Sequence, residues 1–161
     1  MLIQHLLVPV DYSSCSRAAL RFAVDLAQKY QASVDIVHVW DRPSYVSDVV
    51  MSRTEAISGT SLIQLIQENA QRDLDEFLET VELPQGMSAT GRLISGDPAS
   101  ALLHELKQGK HDLVVVGSHG RTGLSHVLLG SVAEKLARLS PVPVLTVPDE
   151  HAQATRQQRP A

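Results

Sequence analysis

Cysteine is nearly missing from this chain: Cys15 is the only one in 161 residues, so no disulfide can close within it. A single thiol suits a reducing compartment, and a free cysteine is ordinarily a small buried residue. Cys15, beside the start of the first helical pattern, is read that way. Aromatic residues are also scarce, at 4%, and acidic groups outnumber basic ones by 18 to 14, for a formal charge of −4. Few stacking platforms and a net negative charge argue against a protein that tracks nucleic acid. They do not argue against a small phosphorylated ligand, because backbone amides bind phosphate without a basic surface. Long apolar runs are absent as well. The opening stretch from Met1 to Asp11 has neither a basic leader nor a small-residue cleavage site, and Pro9 and Asp11 cut it far short of a membrane span. The expectation is a soluble, cytoplasmic protein with no membrane or nucleic-acid partner.

What remains is an ordinary globular composition, 43% hydrophobic, in a length that suits one domain. Ile3 to Val10 is a short apolar run and predicts a buried strand. Ser13 or Ser14 can cap a following helix, in which Ala19, Phe22, Ala23, Leu26 and Tyr30 recur at three- and four-residue steps and predict the inward face. Ser33 to Trp40, rich in β-branched residues, predicts a second strand. Residues 42 to 59 are polar and irregular and read as a loop long enough to act as a lid. A helical period from Ser61 carries Leu62, Ile66, Ala70, Leu74, Phe77, Leu78 and Val81, and Leu83-Pro84-Gln85-Gly86 stops it. Thr90 to Ile94 predicts a third strand. Asp97 and Pro98 are suited to the cap and first position of a helix that runs to about Gly109.

Leu113 to Val116 is a continuous apolar run of the kind covered on both faces. A helix from Ser131 to about Leu139 and a last strand, Pro143 to Val147, complete the pattern. Alternating strands and helices predict an α/β fold, a five-stranded parallel sheet with four principal helices on its two faces. Residues 149–161 have no apolar period and read as a polar, disordered tail.

The chemistry concentrates after the most hydrophobic strand, in Gly117-Ser118-His119-Gly120-Arg121-Thr122-Gly123, followed by Gly130-Ser131-Val132. Ligands of open α/β sheets bind beyond the carboxyl ends of the strands. Glycines let backbone amides approach an anion and permit positive φ. A helix opening at Gly130-Ser131 would present its amides and positive dipole end, Ser131 a hydroxyl and Arg121 a full charge. The segment has no Gly-Lys-Ser/Thr ending and does not follow the first strand, which excludes the P-loop and the dinucleotide fingerprint. On spacing alone, three glycines in seven residues can also make a turn with no ligand.

Gly117-x-x-Gly120, nine residues, then Gly130-Ser131 resembles the ATP-binding motif of the universal stress protein family. The opening Leu-Leu-Val-Pro-Val-Asp-Tyr-Ser, the His38-Val39-Trp40 strand end, Gly96-Asp97-Pro98 and the closing Pro-Val-Pro-Val-Leu resemble that family too. The resemblance spans residues 1–148. It implies a Rossmann-like, adenine nucleotide alpha hydrolase-like sheet of order 3-2-1-4-5 and a stress-response protein that holds ATP. It further implies that Pro9 and Val39 line the adenine pocket, that Asp11 accepts from the ribose hydroxyls, and that Gly117 and Gly120 contact ribose and α-phosphate. Gly130, Ser131 and Val132 would then hold the outer phosphates, with Arg121 nearby. Ala133 stands where some ATP-binding members have threonine, a loss of one contact worth about 1 kcal/mol.

The other histidines (His5, His38, His104, His111, His126, His151) lack metal-ligand spacing, and no dedicated carboxylate pair for Mg2+ is evident, so Mg2+ would ride on the phosphates. Three readings stay open: an ATP-bound regulatory module that tunes some protein partner, a weak ATPase or phosphotransferase using His119 or Ser131, and a nucleotide-free dimeric adaptor. The family resemblance also implies a homodimer through Pro143 to Val147, an edge strand whose unpaired backbone invites a partner.

Overall fold

Valine, leucine and isoleucine fill the strands because both faces of the sheet are covered, which removes the alternation of a half-exposed strand. In β1 (His5–Val10) every residue from Leu6 to Val10 is buried, and in β4 (Leu113–Gly117) all five are. The computed structural model describes residues 2–40, 62–120 and 129–149. Arg121, Gly123, the 42–59 stretch and the tail from 150 onward lie outside the described residues.

Around β1 and β4 stand β2 (Ser33–Trp40), β3 (Ala89–Ser95) and β5 (Val144–Val147), with helices α1 (Ser14–Tyr30), α2 (Leu62–Glu79), α3 (Pro98–Leu106) and α4 (Ser131–Leu139). The sheet is parallel and runs β3-β2-β1-β4-β5. That is the expected order, with its reversal between β1 and β4. One face packs against α1 and α2 through Leu6, Val8, Val34, Ile36, Leu74 and Phe77. The other packs against α3 and α4 through Leu7, Val37, Val114, Val116, Leu102 and Leu136. None of the described helices is long and apolar enough to cross a membrane.

The ends of the elements follow hydrogen bonding. β1 begins at His5 rather than Ile3, because the Gln4 and His5 amides turn to the Asp112 carboxylate, at 2.8 and 2.9 Å. Those bonds also hold Asp112 ionised: the Gln4 amide is the main reason its carboxyl lies below the usual range. β5 begins at Val144, one residue past the expected Pro143, which lacks an N–H and gives only its carbonyl, to Val114. Ser13 caps α1 by accepting from the Ser16 amide, and Asp97 caps α3 with Pro98 in the first turn. α3 ends at Leu106, short of Gly109, whose φ of +72° marks the turn beyond it.

The inward face of α1 is rotated from the expected one. Ala19 and Ala23 are buried as foreseen and Leu26 packs partly buried on the core, but Phe22 and Tyr30 are 43% and 50% exposed. The helix buries Cys15, Ala18, Leu20, Val24 and Ala27 instead. The bulky apolar residues of the strands already fill the space over the sheet. A helix that presents alanines can therefore lie closer to it, and the larger rings are carried to the flank.

Candidate functional site

The crevice at the reversal point begins as a gap in the sheet. β1 pairs with β2 over six positions, His5 to Val10, but with β4 over only two, Leu6 with Leu113 and Leu7 with Val114. Pro9, buried in β1, has no N–H with which to extend a ladder. Beyond Leu7 the chain ends of β1 and β4 therefore stand side by side without strand pairing, the position at which doubly wound sheets take their ligands.

Asp11 follows β1 immediately. Its Oδ1 accepts from the Ser13 amide at 3.1 Å and the Ser13 hydroxyl at 2.5 Å. Across the gap, a Cβ built on Gly120 would fall 2.8 Å from Asp11 Oδ2. The carboxylate therefore lies directly against the loop after β4. That loop is fastened at both sides: the Ser118 amide donates to the Val147 carbonyl at 2.8 Å, and the Gly130 amide to the Ser118 carbonyl at 2.7 Å. The second bond brings the start of α4 onto the loop, and a Cβ on Gly130 would lie 3.3 Å from the His119 Cα and 3.5 Å from the Gly120 nitrogen. Asp11, Gly120 and Gly130, distant in sequence, are thus brought together.

The described loop glycines are not there for positive φ, contrary to the expectation. Gly130 has φ −60°, and the described glycines with positive φ are Gly86, Gly96 and Gly109. Close approach is the reason instead. At Gly117 a Cβ would meet the Cys15 carbonyl carbon and Cβ, each at 2.9 Å. Glycine at 117 is thus demanded by the packing of α1 on the end of β4, apart from any ligand.

Each sequence-predicted site residue among the described ones has a definite place. Pro9 and Val39 lie on neighbouring strands, and the two-residue period puts both on the α3/α4 face, Pro9 in register with Val37. Val39 is partly buried against that core. Gly130 caps α4 with no side-chain hydrogen bond to the first turn, so the opening amides of that helix are left to other acceptors. Ser131 is exposed on the first turn, while Val132 is partly buried. His119 bonds through Nδ1 to the Ser118 hydroxyl at 2.9 Å, and its Nε2 is buried without a partner among the described residues. Among the described residues no group of three or more His, Cys, Asp or Glu could hold a metal ion.

Two features escaped the sequence reading. One is Tyr12, whose φ of +67° is rare for a side-chain-bearing residue and whose ring stacks on His38. The other is a charged cluster on the α3 side of β2 and β3. Arg92 reaches both Asp35 and Glu105, at 2.7 and 2.8 Å, and His111 Nε2 lies 3.0 Å from Asp35. Burial would raise the Asp35 carboxyl, but hydrogen bonds from His111 and Arg92 outweigh it and hold it at about 2. A signal existed: Asp35 and Arg92 interrupt apolar strands at inward positions, where an ion needs a partner.

Known proteins resemble this chain along nearly its whole length. The profile described as Universal stress protein family covers residues 2–148. Universal stress protein YxiE of Bacillus subtilis is 33% identical over 150 residues, covering 88% of this chain and 97% of that protein. Universal stress protein MJ0531 of Methanocaldococcus jannaschii is 31% identical over 146 residues, covering 91% and 82% respectively. Among solved structures, a universal stress protein in complex with cAMP superposes with a TM-score of 0.60 at 27% identity, covering 93% of this chain and 100% of that one.

Proposed function

Because this chain belongs to the universal stress protein family, we propose that it binds ATP in the crevice between β1 and β4 and uses occupancy as a regulatory switch, not as fuel. The observation that carries this reading is the approach of Asp11 Oδ2 to within 2.8 Å of a Cβ position on Gly120. A carboxylate suited to ribose hydroxyls and a loop of amides suited to phosphate need to border the same crevice, and the contact of Asp11 with Gly120 at the open end of β1 and β4 supports that reading. The cAMP held by a relative of the same fold supports an adenine nucleotide as the ligand class.

In this reading adenine lies against Pro9 and Val39, and ribose against Asp11 and Gly117. The phosphates take the amides of Gly120, Ser131 and Val132, with Arg121 adding charge, while Gly130, its own amide held by the Ser118 carbonyl, sets the start of α4 beside them. The uncapped start of α4 supplies donors and the positive end of its dipole. Mg2+ would be carried by the phosphate oxygens. The protein acts in the cytoplasm as a homodimer joined along β5, the edge of the sheet, and its nucleotide state tunes the binding of another protein. Charged residues at Val144 and Leu145 should then give a monomer by light scattering.

The direct test is to purify the protein without added nucleotide, denature it, and identify what is released by chromatography. Near-stoichiometric ATP is the expected result. An empty protein that also ignores millimolar ATP–Mg2+ in calorimetry would overturn the reading in favour of a nucleotide-free adaptor. Weak hydrolysis is the second reading, favoured by the buried Nε2 of His119, which has no partner among the described residues. Turnover abolished in His119→Ala would establish it.

A further inference from the structure

We infer that Tyr12 and His38 form a positioning device for the Asp11 carboxylate, and so set how strongly the site recognises a ribose with free hydroxyls. The inference rests on the reading of Asp11 as the ribose acceptor. Asp11, Tyr12 and Ser13 form a tight turn in which the Asp11 side chain accepts from the amide two residues on. That turn places Tyr12 at its centre with φ +67°, a region that glycine and asparagine enter readily and tyrosine does not. Such a conformation persists only where the surroundings over-determine it.

The surroundings are aromatic. The Tyr12 ring stacks on His38 with centroids 4.5 Å apart and planes 25° from parallel, and meets Phe77 of α2 at 5.2 Å. His38 is itself fixed, because Nδ1 lies 2.8 Å from the Val10 carbonyl oxygen. A carbonyl only accepts, so Nδ1 carries the proton and donates. That bond joins the ring in β2 to the last residue of β1, one position before Asp11. The α2 side is steadied by the Arg17 guanidinium, 4.6 Å above the Phe77 ring. A ring anchored on two elements therefore holds the backbone of the turn, and the turn holds Asp11 Oδ2 against the Gly120 loop. Tyr12 and His38 lie on the α1/α2 face, opposite Pro9 and Val39, so they act through Asp11 and not by touching the base.

The test compares the affinities of ATP and 2′,3′-dideoxy-ATP by calorimetry, each with Mg2+. The wild-type protein should favour ATP by about tenfold or more, the value of hydrogen bonds to a charged acceptor. Tyr12→Ala should bring the ratio close to one by weakening ATP alone, with dideoxy-ATP bound as before, and Tyr12→Phe should restore the ratio. His38→Leu, which removes the stacking partner and the bond to Val10, should act in the same direction and serves if Tyr12→Ala does not fold. An unchanged ratio in both variants, or parallel loss of both nucleotides, would overturn the positioning role. A wild-type protein that binds both nucleotides equally would instead overturn the assignment of ribose to Asp11, and this inference with it.

Discussion

Replacing Gly120 by alanine is the sharpest probe of the crevice, because the consequence of one methyl group can be followed from the geometry. The new Cβ would stand 2.8 Å from Asp11 Oδ2, closer than a Cβ comes to any non-bonded neighbour without one of them shifting. The obstacle is the tip of a side chain and not backbone, so the carboxylate can swing aside. Gly120 has none of the positive φ that would penalise alanine on its own account. The fold should therefore lose no more than about 0.5 kcal/mol, the level of a surface change. The ligand should lose more. A carboxylate displaced from the ribose forfeits hydrogen bonds to a charged acceptor, worth about 1.5–3 kcal/mol, which is about 10- to 150-fold in Kd.

Calorimetry with ATP–Mg2+ on Gly120→Ala, Asp11→Ala and the double variant closes a thermodynamic cycle. If alanine at 120 acts through Asp11, the double variant binds no more weakly than Asp11→Ala alone. Unchanged affinity in Gly120→Ala would refute the claim that the two residues share a ligand. Losses that simply add would refute the claim that the glycine is needed for the carboxylate.

Gly117→Ala should behave in the opposite way, since its Cβ would strike the Cys15 backbone at 2.9 Å: a stability loss of about 1–3 kcal/mol in a denaturant melt, whether or not nucleotide is present. A melt like that of the wild type would mean that the glycine serves the ligand alone. Leu20→Ala should cost about 2–5 kcal/mol and Phe22→Ala far less, and the reverse order would restore the helix face expected from periodicity. Asp35 has its carboxyl lowered from 3.8 to about 2. Its stabilisation is therefore complete above about pH 4 and fades as pH falls through about 2, with a ceiling of about 2 kcal/mol. The stability gap between wild type and Asp35→Asn should shrink between pH 6 and pH 2.5 in urea melts, and a gap independent of pH would contradict the ion cluster.

Much of this was legible in the sequence, for identifiable reasons. The strands were readable because uninterrupted runs such as Leu113 to Val116 need cover on both sides, and the starts of α1 and α3 because Ser13 and Asp97-Pro98 have few other uses. The glycine spacing could be read as a candidate site because ligands of open α/β sheets bind beyond the strand ends, whereas Asp11 joined it only through the family resemblance. The face of α1 was legible only in part: Ala19, Ala23 and Leu26 do pack on the core, but periodicity gave no reason to leave Phe22 and Tyr30 outside and bury Leu20 and Val24. Nor was the reason for each glycine. Spacing cannot tell that Gly117 yields to a helix and Gly120 to a carboxylate, because both depend on what lies across a gap. The Tyr12–His38 stack depends on a positive φ that no pattern of residue types announces for tyrosine.

The two-position pairing of β1 with β4 has a mechanical meaning. The sheet is two wings, one of three strands and one of two, zipped at their amino ends and left unzipped at the other. α1, packed on β1 and against Gly117, is the spine along which they are bound. A nucleotide gripped by Asp11 on one wing and by the loop amides on the other would act as a clasp across the open end. Its arrival would be felt in β5, the far edge of the smaller wing, as slower exchange of amide hydrogens. A clasp of that kind carries news of the ligand to a surface that the ligand never touches.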